Sequence, residues 1–159
     1  MLDKVVSGGQ TGADQGGWRA ARACGVATGG WMPLGWLTED GPRPDLAALY
    51  GAAEMPTARY RARTEQNVRD SDATLWFGSV DSPGAKVTLQ AAESMGKPRM
   101  IVRAGREVRP SDVAAWIAEQ RVRVLNVAGN RESKAPGIGG RVERFLCVVF
   151  ARLGYERQG

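Results

Sequence analysis

Val5-Val6-Ser7-Gly8-Gly9-Gln10-Thr11-Gly12-Ala13-Asp14 runs from an apolar pair through three glycines into a helical pattern. A strand that ends in glycines and opens onto a helix belongs to parallel α/β architecture. It is also an arrangement that holds phosphates. Glycine lets the backbone approach a ligand closely, and the first amides of a helix, with its dipole, favour an anion. The other reading of these residues is a plain glycine turn with Asp14 as the helix cap.

Working outward, Asp14 to Cys24 is expected to be helical, with Gly17, Ala20, Ala21 and Cys24 on one face and Gly25 as its stop. Ala27–Pro33 reads as a second strand running into a turn. Leu34–Ala58 reads mostly as loop, because Gly35, Gly41, Pro42, Pro44 and Pro56 interrupt any long element. So long a connection is either functional or hides an element. Tyr60–Asp70 is a polar helix, and Ala73-Thr74-Leu75-Trp76-Phe77 a buried central strand. After the loop Gly78–Gly84 comes a helix from about Ala85 to Met95, then a strand Arg99–Val102. A helix starts at Pro110-Ser111-Asp112, a fifth strand covers Val122–Ala128, the loop Gly129–Gly137 follows, and the last helix spans Ile138–Leu153.

This alternation predicts an α/β fold, a mainly parallel sheet with helices on both faces, formed by residues 1–159 as a single domain. In such a sheet every strand-to-helix loop lies at the carboxyl edge. The glycine loops near residues 8, 82 and 130 are therefore expected to converge there on a phosphate-bearing small molecule.

Composition narrows the chemistry. The chain has 159 residues and no histidine, which removes Ser-His-Asp and Cys-His catalysis and ordinary zinc sites. No metal ligands are assigned. Cys24 and Cys147 fall on apolar helical faces and read as buried free thiols. No apolar stretch approaches the roughly 20 residues that span a bilayer, and Met1-Leu2-Asp3-Lys4 lacks a secretion pattern, so a cytoplasmic protein with no membrane partner is expected. The net charge of +5 comes from scattered arginines with only small clusters at Arg59–Arg63 and Arg121–Arg123. That distribution favours a small anionic ligand over nucleic acid.

Several short motifs in order carry a resemblance over nearly the whole chain: the first loop, Gly29-Gly30-Trp31-Met32-Pro33, Glu39-Asp40-Gly41, Arg63-Thr64 with Asn67-Val68, Ser71-Asp72, and Leu125–Gly129 with Arg131-Glu132-Ser133. Together they resemble the putative molybdenum carrier family, a circularly permuted branch of the SLOG, or lysine-decarboxylase-like, nucleotide-binding superfamily. The resemblance implies a Rossmann-like three-layer sandwich, a homo-oligomer, and a site for a nucleotide or the molybdenum cofactor. Two departures stand out. Pro83-Gly84-Ala85-Lys86 replaces a Ser-Gly-Thr of relatives, and Thr88 stands where cytokinin-activating relatives carry a glutamate. The second departure weakens a phosphoribohydrolase reading.

The expected site follows from both lines. Amides of Gly8, Gly9, Thr11 and Gly12, with Ser82 and Gly84, would hold phosphate; Ser7 and Gln10 would add hydrogen bonds, and Lys86 and Arg131 charge. Thr88, Asn130 and Ser133 complete the set. Asp14 and Glu132 stay open between ordering the loops, holding water or a metal ion, and reading a ring edge; a salt bridge is a further alternative for Glu132, and solvent for Lys86. Trp31 and Trp36 either stack on the ligand or pack. A carrier or sensor is favoured; the alternatives are a nucleotide-processing hydrolase and an interaction module. The last helix, apolar nearly all round, predicts self-association.

Overall fold

In the computed structural model, which describes residues 1–104 and 107–159, the apolar runs become strands of one parallel sheet. β1 (Lys4–Val6) is followed by α1 (Ala13–Ala23) and β2 (Ala27–Met32). The segment from 34 to 58, expected to be loop, instead contains a small antiparallel hairpin, β3 (Leu37–Thr38) and β4 (Gly41–Pro42), then α2 (Asp45–Tyr50) and β5 (Ala52–Glu54). Next come α3 (Tyr60–Arg69), β6 (Ala73–Phe77), α4 (Pro83–Ser94), β7 (Arg99–Val102), α5 (Pro110–Glu119), β8 (Val124–Gly129) and α6 (Ile138–Arg152). α4 starts at Pro83 because Ser82 caps it: the Ser82 hydroxyl oxygen accepts the Ala85 amide at 3.1 Å, and proline suits the first helical position.

The sheet order is β5-β2-β1-β8-β6-β7, every neighbour parallel. The last strand in sequence thus stands between the first and β6. Its period-two alternation divides the chemistry of the two faces. Leu125 and Val127 of β8, with Leu75 and Phe77 of β6, join the main core beneath α1, α5 and α6. The intervening Thr74, Trp76, Asn126 and Ala128 face the α3 and α4 side, where Asn126 Nδ2 donates to Thr74 Oγ1 at 3.2 Å. A smaller cluster of Trp18, Met32, Leu46 and Ala52 seats α2, with Tyr50 stacked on Trp18 at 5.0 Å. No described helix is long and apolar enough to cross a membrane.

Candidate functional site

The loops after β1, β6 and β8 meet at the carboxyl edge around a cavity of about 640 Å³ on the α3 and α4 side. Gly8, Gln10 and Asp14 contribute from the first loop and α1, Ser79, Ser82 and Gly84 from the second, and Asn130, Arg131 and Lys134 from the third. Asn130 ties the three together. Its carbonyl accepts the Ala13 amide at 3.1 Å, its Oδ1 accepts the Ser79 amide at 2.8 Å, and its own amide donates to Phe77 O at 3.0 Å. Trp76 lines the cavity and is fixed by its Nε1–H donating to Ser79 O at 3.1 Å.

α3 supplies the buried end. Asn67 clasps β2 like a peptide, its Oδ1 accepting the Trp31 amide at 2.8 Å and its Nδ2 donating to Trp31 O at 3.0 Å. One turn earlier Arg63, 8% exposed, donates from Nη1 to Gly8 O at 2.6 Å and to Asp14 Oδ2 at 3.4 Å. Asp14 Oδ2 also accepts the Gln10 amide at 3.1 Å. Burial raises the Asp14 carboxyl from 3.8 to about 6, against the opposing pull of Arg63 and the Gln10 hydrogen bond. The same burial lowers the Arg63 pKa, although Asp14 works to raise it. Two donors here, Gln10 Nε2 and Arg63 Nε, are buried without an acceptor among the described residues.

The hairpin closes the outside of the loops. Glu39, at the β3–β4 turn, accepts from the Thr11 hydroxyl, from the Ser133 amide at 3.0 Å and from the Ser133 hydroxyl, while its own amide donates to Gln10 Oε1 at 2.9 Å. Partial burial opposes ionisation of Glu39, but these hydrogen bonds outweigh it and hold the carboxyl below its usual range.

A model of the Circularly permutated YpsA SLOG family matches residues 5–150. The chain belongs to this family. Its fold is Rossmann-like, and the placement of β8, last in sequence yet inside the sheet, agrees with a permuted strand order. A crystal structure described as a putative molybdenum carrier protein, from Syntrophus aciditrophicus SB, is 37% identical over 93% of this chain and 94% of that one, with a TM-score of 0.85. No curated protein matches.

In this SLOG-family chain the expected site residues separate into two groups. Gly8, Gln10, Asp14, Ser82, Gly84, Thr88, Asn130 and Arg131 line the cavity. Ser7, Gly9, Thr11, Gly12, Lys86, Glu132 and Ser133 do not. Ser7 is fully buried and its Oγ accepts the Gly9 amide at 3.3 Å, while the Thr11 amide donates to Gln10 Oε1 at 3.0 Å. Those two amides are thus occupied within the loop. Gly12, with φ +80°, lies so close to the third loop that a Cβ would sit 2.5 Å from Asn130 O. Glu132 caps α6, accepting the amides of Gly137 and, at 3.1 Å, Gly139. Ser133 is held by Glu39, and Lys86 is exposed away from the cavity. Trp31 donates to Asp70 and Trp36 packs near Leu46; neither lines the cavity.

Arg63, Thr64, Asn67, Trp76, Ser79, Asn126 and Lys134 line it without having been expected to. A signal existed for α3: Arg63, Thr64 and Asn67 put polar groups at i, i+1 and i+4 beside the apolar Val68. Asn126 carries a signal too, as the polar residue in an otherwise apolar strand.

Proposed function

We propose that this protein binds a phosphate-bearing small molecule, a nucleotide or the molybdenum cofactor, at the carboxyl-edge cavity, and serves as a carrier or sensor. The observation that carries the reading is the convergence of three strand-end loops on one polar cavity of about 640 Å³, within the roughly 300–1,000 Å³ usual for small-ligand sites. Phosphate fits the start of α4, where Gly84 offers an amide without an intrahelical acceptor and Ser82 a hydroxyl, with Arg131 and Lys134 as cations across the opening. The unpaired donors of Gln10 and Arg63 suit a ligand rich in acceptors. The related structure's description as a molybdenum carrier supports the cofactor as cargo. Hydroxyl, amide and guanidinium groups fit its organic phosphate portion. Among the described residues no group of three or more His, Cys, Asp or Glu is placed to hold a bare metal ion.

Native mass spectrometry of the purified protein, with calorimetric titration of AMP and GMP, tests this reading. A phosphorylated compound is expected at one per chain, bound more weakly when Arg131 and Lys134 are both changed to alanine. Absence of any such compound, with no heat from the titrations, would overturn it.

A second reading, a nucleotide hydrolase, is favoured by one observation. Asp14 is a cavity-lining carboxyl with a pKa of about 6, the kind of group that moves a proton near neutral pH. Incubation with nucleoside mono- and triphosphates decides it: product formation that disappears in Asp14→Asn supports catalysis, and unchanged substrates leave a binding protein.

A further inference from the structure

α1 and α6 follow the neighbouring parallel strands β1 and β8, so they run side by side away from the carboxyl edge. Near their starts two glycines bring the backbones together: a Cβ on Gly16 would sit 2.5 Å from Gly139 O. One turn further, Arg19 Nε donates to Glu143 Oε2 at 2.8 Å. Cys24 and Cys147 each follow the glycine of their own helix by eight residues, so the helical repeat returns both to the shared stripe. Cys24, the cap residue at the carboxyl end of α1, is buried in the main core, and Cys147 packs against that core half-buried.

The Cys24 thiol responds to this neighbour. Burial pushes it up to about 11, and the Cys147 thiol beside it pushes the same way, by charge and by a hydrogen bond, while Arg157 pulls it down. Arg157 is brought here by the C-terminal tail, whose Gln158 amide donates to Ala23 O at 2.6 Å and whose Tyr155 hydroxyl donates to Leu2 O. Two thiols side by side across packed helices need little backbone movement to join. Neither lines the ligand cavity.

We infer that Cys24 and Cys147 are a redox-responsive dithiol, which a low-molecular-weight disulfide converts to a bond stapling the carboxyl end of α1 to the middle of α6. Cys147 is the reachable partner. Its thiolate attacks one sulfur of the reagent, whose S–S bond breaks; one thiolate leaves, and a mixed disulfide stands on Cys147. Cys24 then gives its proton to solvent, and its sulfur attacks that of Cys147 and expels the second thiolate. The chain has lost two protons and two electrons, and the reagent has become two thiols. Because Cys24 holds its proton tightly, the second step is the slow one. The bond closes a loop that spans most of the chain, so its effect is on stability.

Incubation of the folded full chain with oxidised glutathione, followed by intact mass and non-reducing peptide mapping, tests this. The chain is expected to pass through a glutathione adduct on Cys147 and end lighter by two hydrogens, with the Cys24 and Cys147 peptides linked. Its thermal midpoint is expected to rise by about 5–15 °C and to fall back on reduction with dithiothreitol. Cys24→Ala should stop at the adduct, and Cys147→Ser should leave Cys24 unmodified in the folded protein. A wild-type adduct that persists without forming the link overturns the inference. So does a link that forms only in urea, or a linked chain that melts no higher than the reduced one.

Discussion

Asp14 and Arg63 are buried side by side, and burial works against both charges, so the pair is held by geometry as much as by attraction. The sign of the resulting pH dependence follows from Asp14. Its folded pKa of about 6 exceeds the ordinary 3.8, so the folded state binds the proton more readily. The stabilisation is fully present below about pH 4 and is lost as pH rises through 6, a change of at most about 2–3 kcal/mol. Denaturant midpoints taken between pH 4 and 7 should decline by that contribution in the wild type and not in Asp14→Asn; an equal decline in the variant would locate the titrating group elsewhere. Removing the partner is more damaging. Arg63→Met leaves Asp14 without its cation and frees Gly8 O, and is expected to destabilise by about 3–5 kcal/mol at pH 7, measurable by urea unfolding. Gly12 behaves differently again. A side chain there meets backbone of the third loop at 2.5 Å in a left-handed conformation, so Gly12→Val should lower thermal stability before any ligand is added.

At the scale of elements, the hairpin of β3 and β4 acts through Glu39, which joins the first loop to the third. Glu39→Ala should speed hydrogen exchange at the Ser133 amide, weaken ligand binding severalfold and reduce stability by about 1–3 kcal/mol. Unchanged exchange at Ser133 would show that the loops hold each other without the hairpin. This segment was also where the sequence was least legible. The breakers between 34 and 58 are real, but they punctuate short elements: Pro42 lies in β4, Pro44 caps α2, and Gly51 ends α2 with φ 71°. β5, Ala52-Ala53-Glu54, has no strand pattern of its own and exists through its pairing with β2. By contrast, β1 and β6 were readable as short buried apolar runs, and α1 and α6 because each buries a periodic apolar face. The site divides in the same way. The glycine loops announced their convergence, whereas Arg63 and Asp14, 49 residues apart, meet only through the docking of α3.

For the molecule as a whole, the apolar excess of α6 finds its partners largely inside the chain. Val142, Leu146, Val149 and Phe150 are buried in the main core, Phe145 and Cys147 pack against it, and Val148 is the exposed large apolar residue of the helix, at 48%. A subunit contact, if formed, therefore has to draw on other surface. Light scattering of Val148→Arg should give the same mass as the wild type; a smaller mass would return α6 to a subunit interface. The order of the strands carries a further consequence, for how the chain acquires its shape. β8 is the strand that joins β5-β2-β1 to β6-β7, and it is followed by α6. During synthesis the two part-sheets emerge with open edges facing a gap that no earlier strand among the described residues fills. Closing it requires contacts between distant parts of the sequence, which slows folding and prolongs exposure of unpaired edges. Nascent chains stalled before residue 124 should accordingly be protease-sensitive throughout, acquiring resistance in one step once β8 and α6 are free to dock.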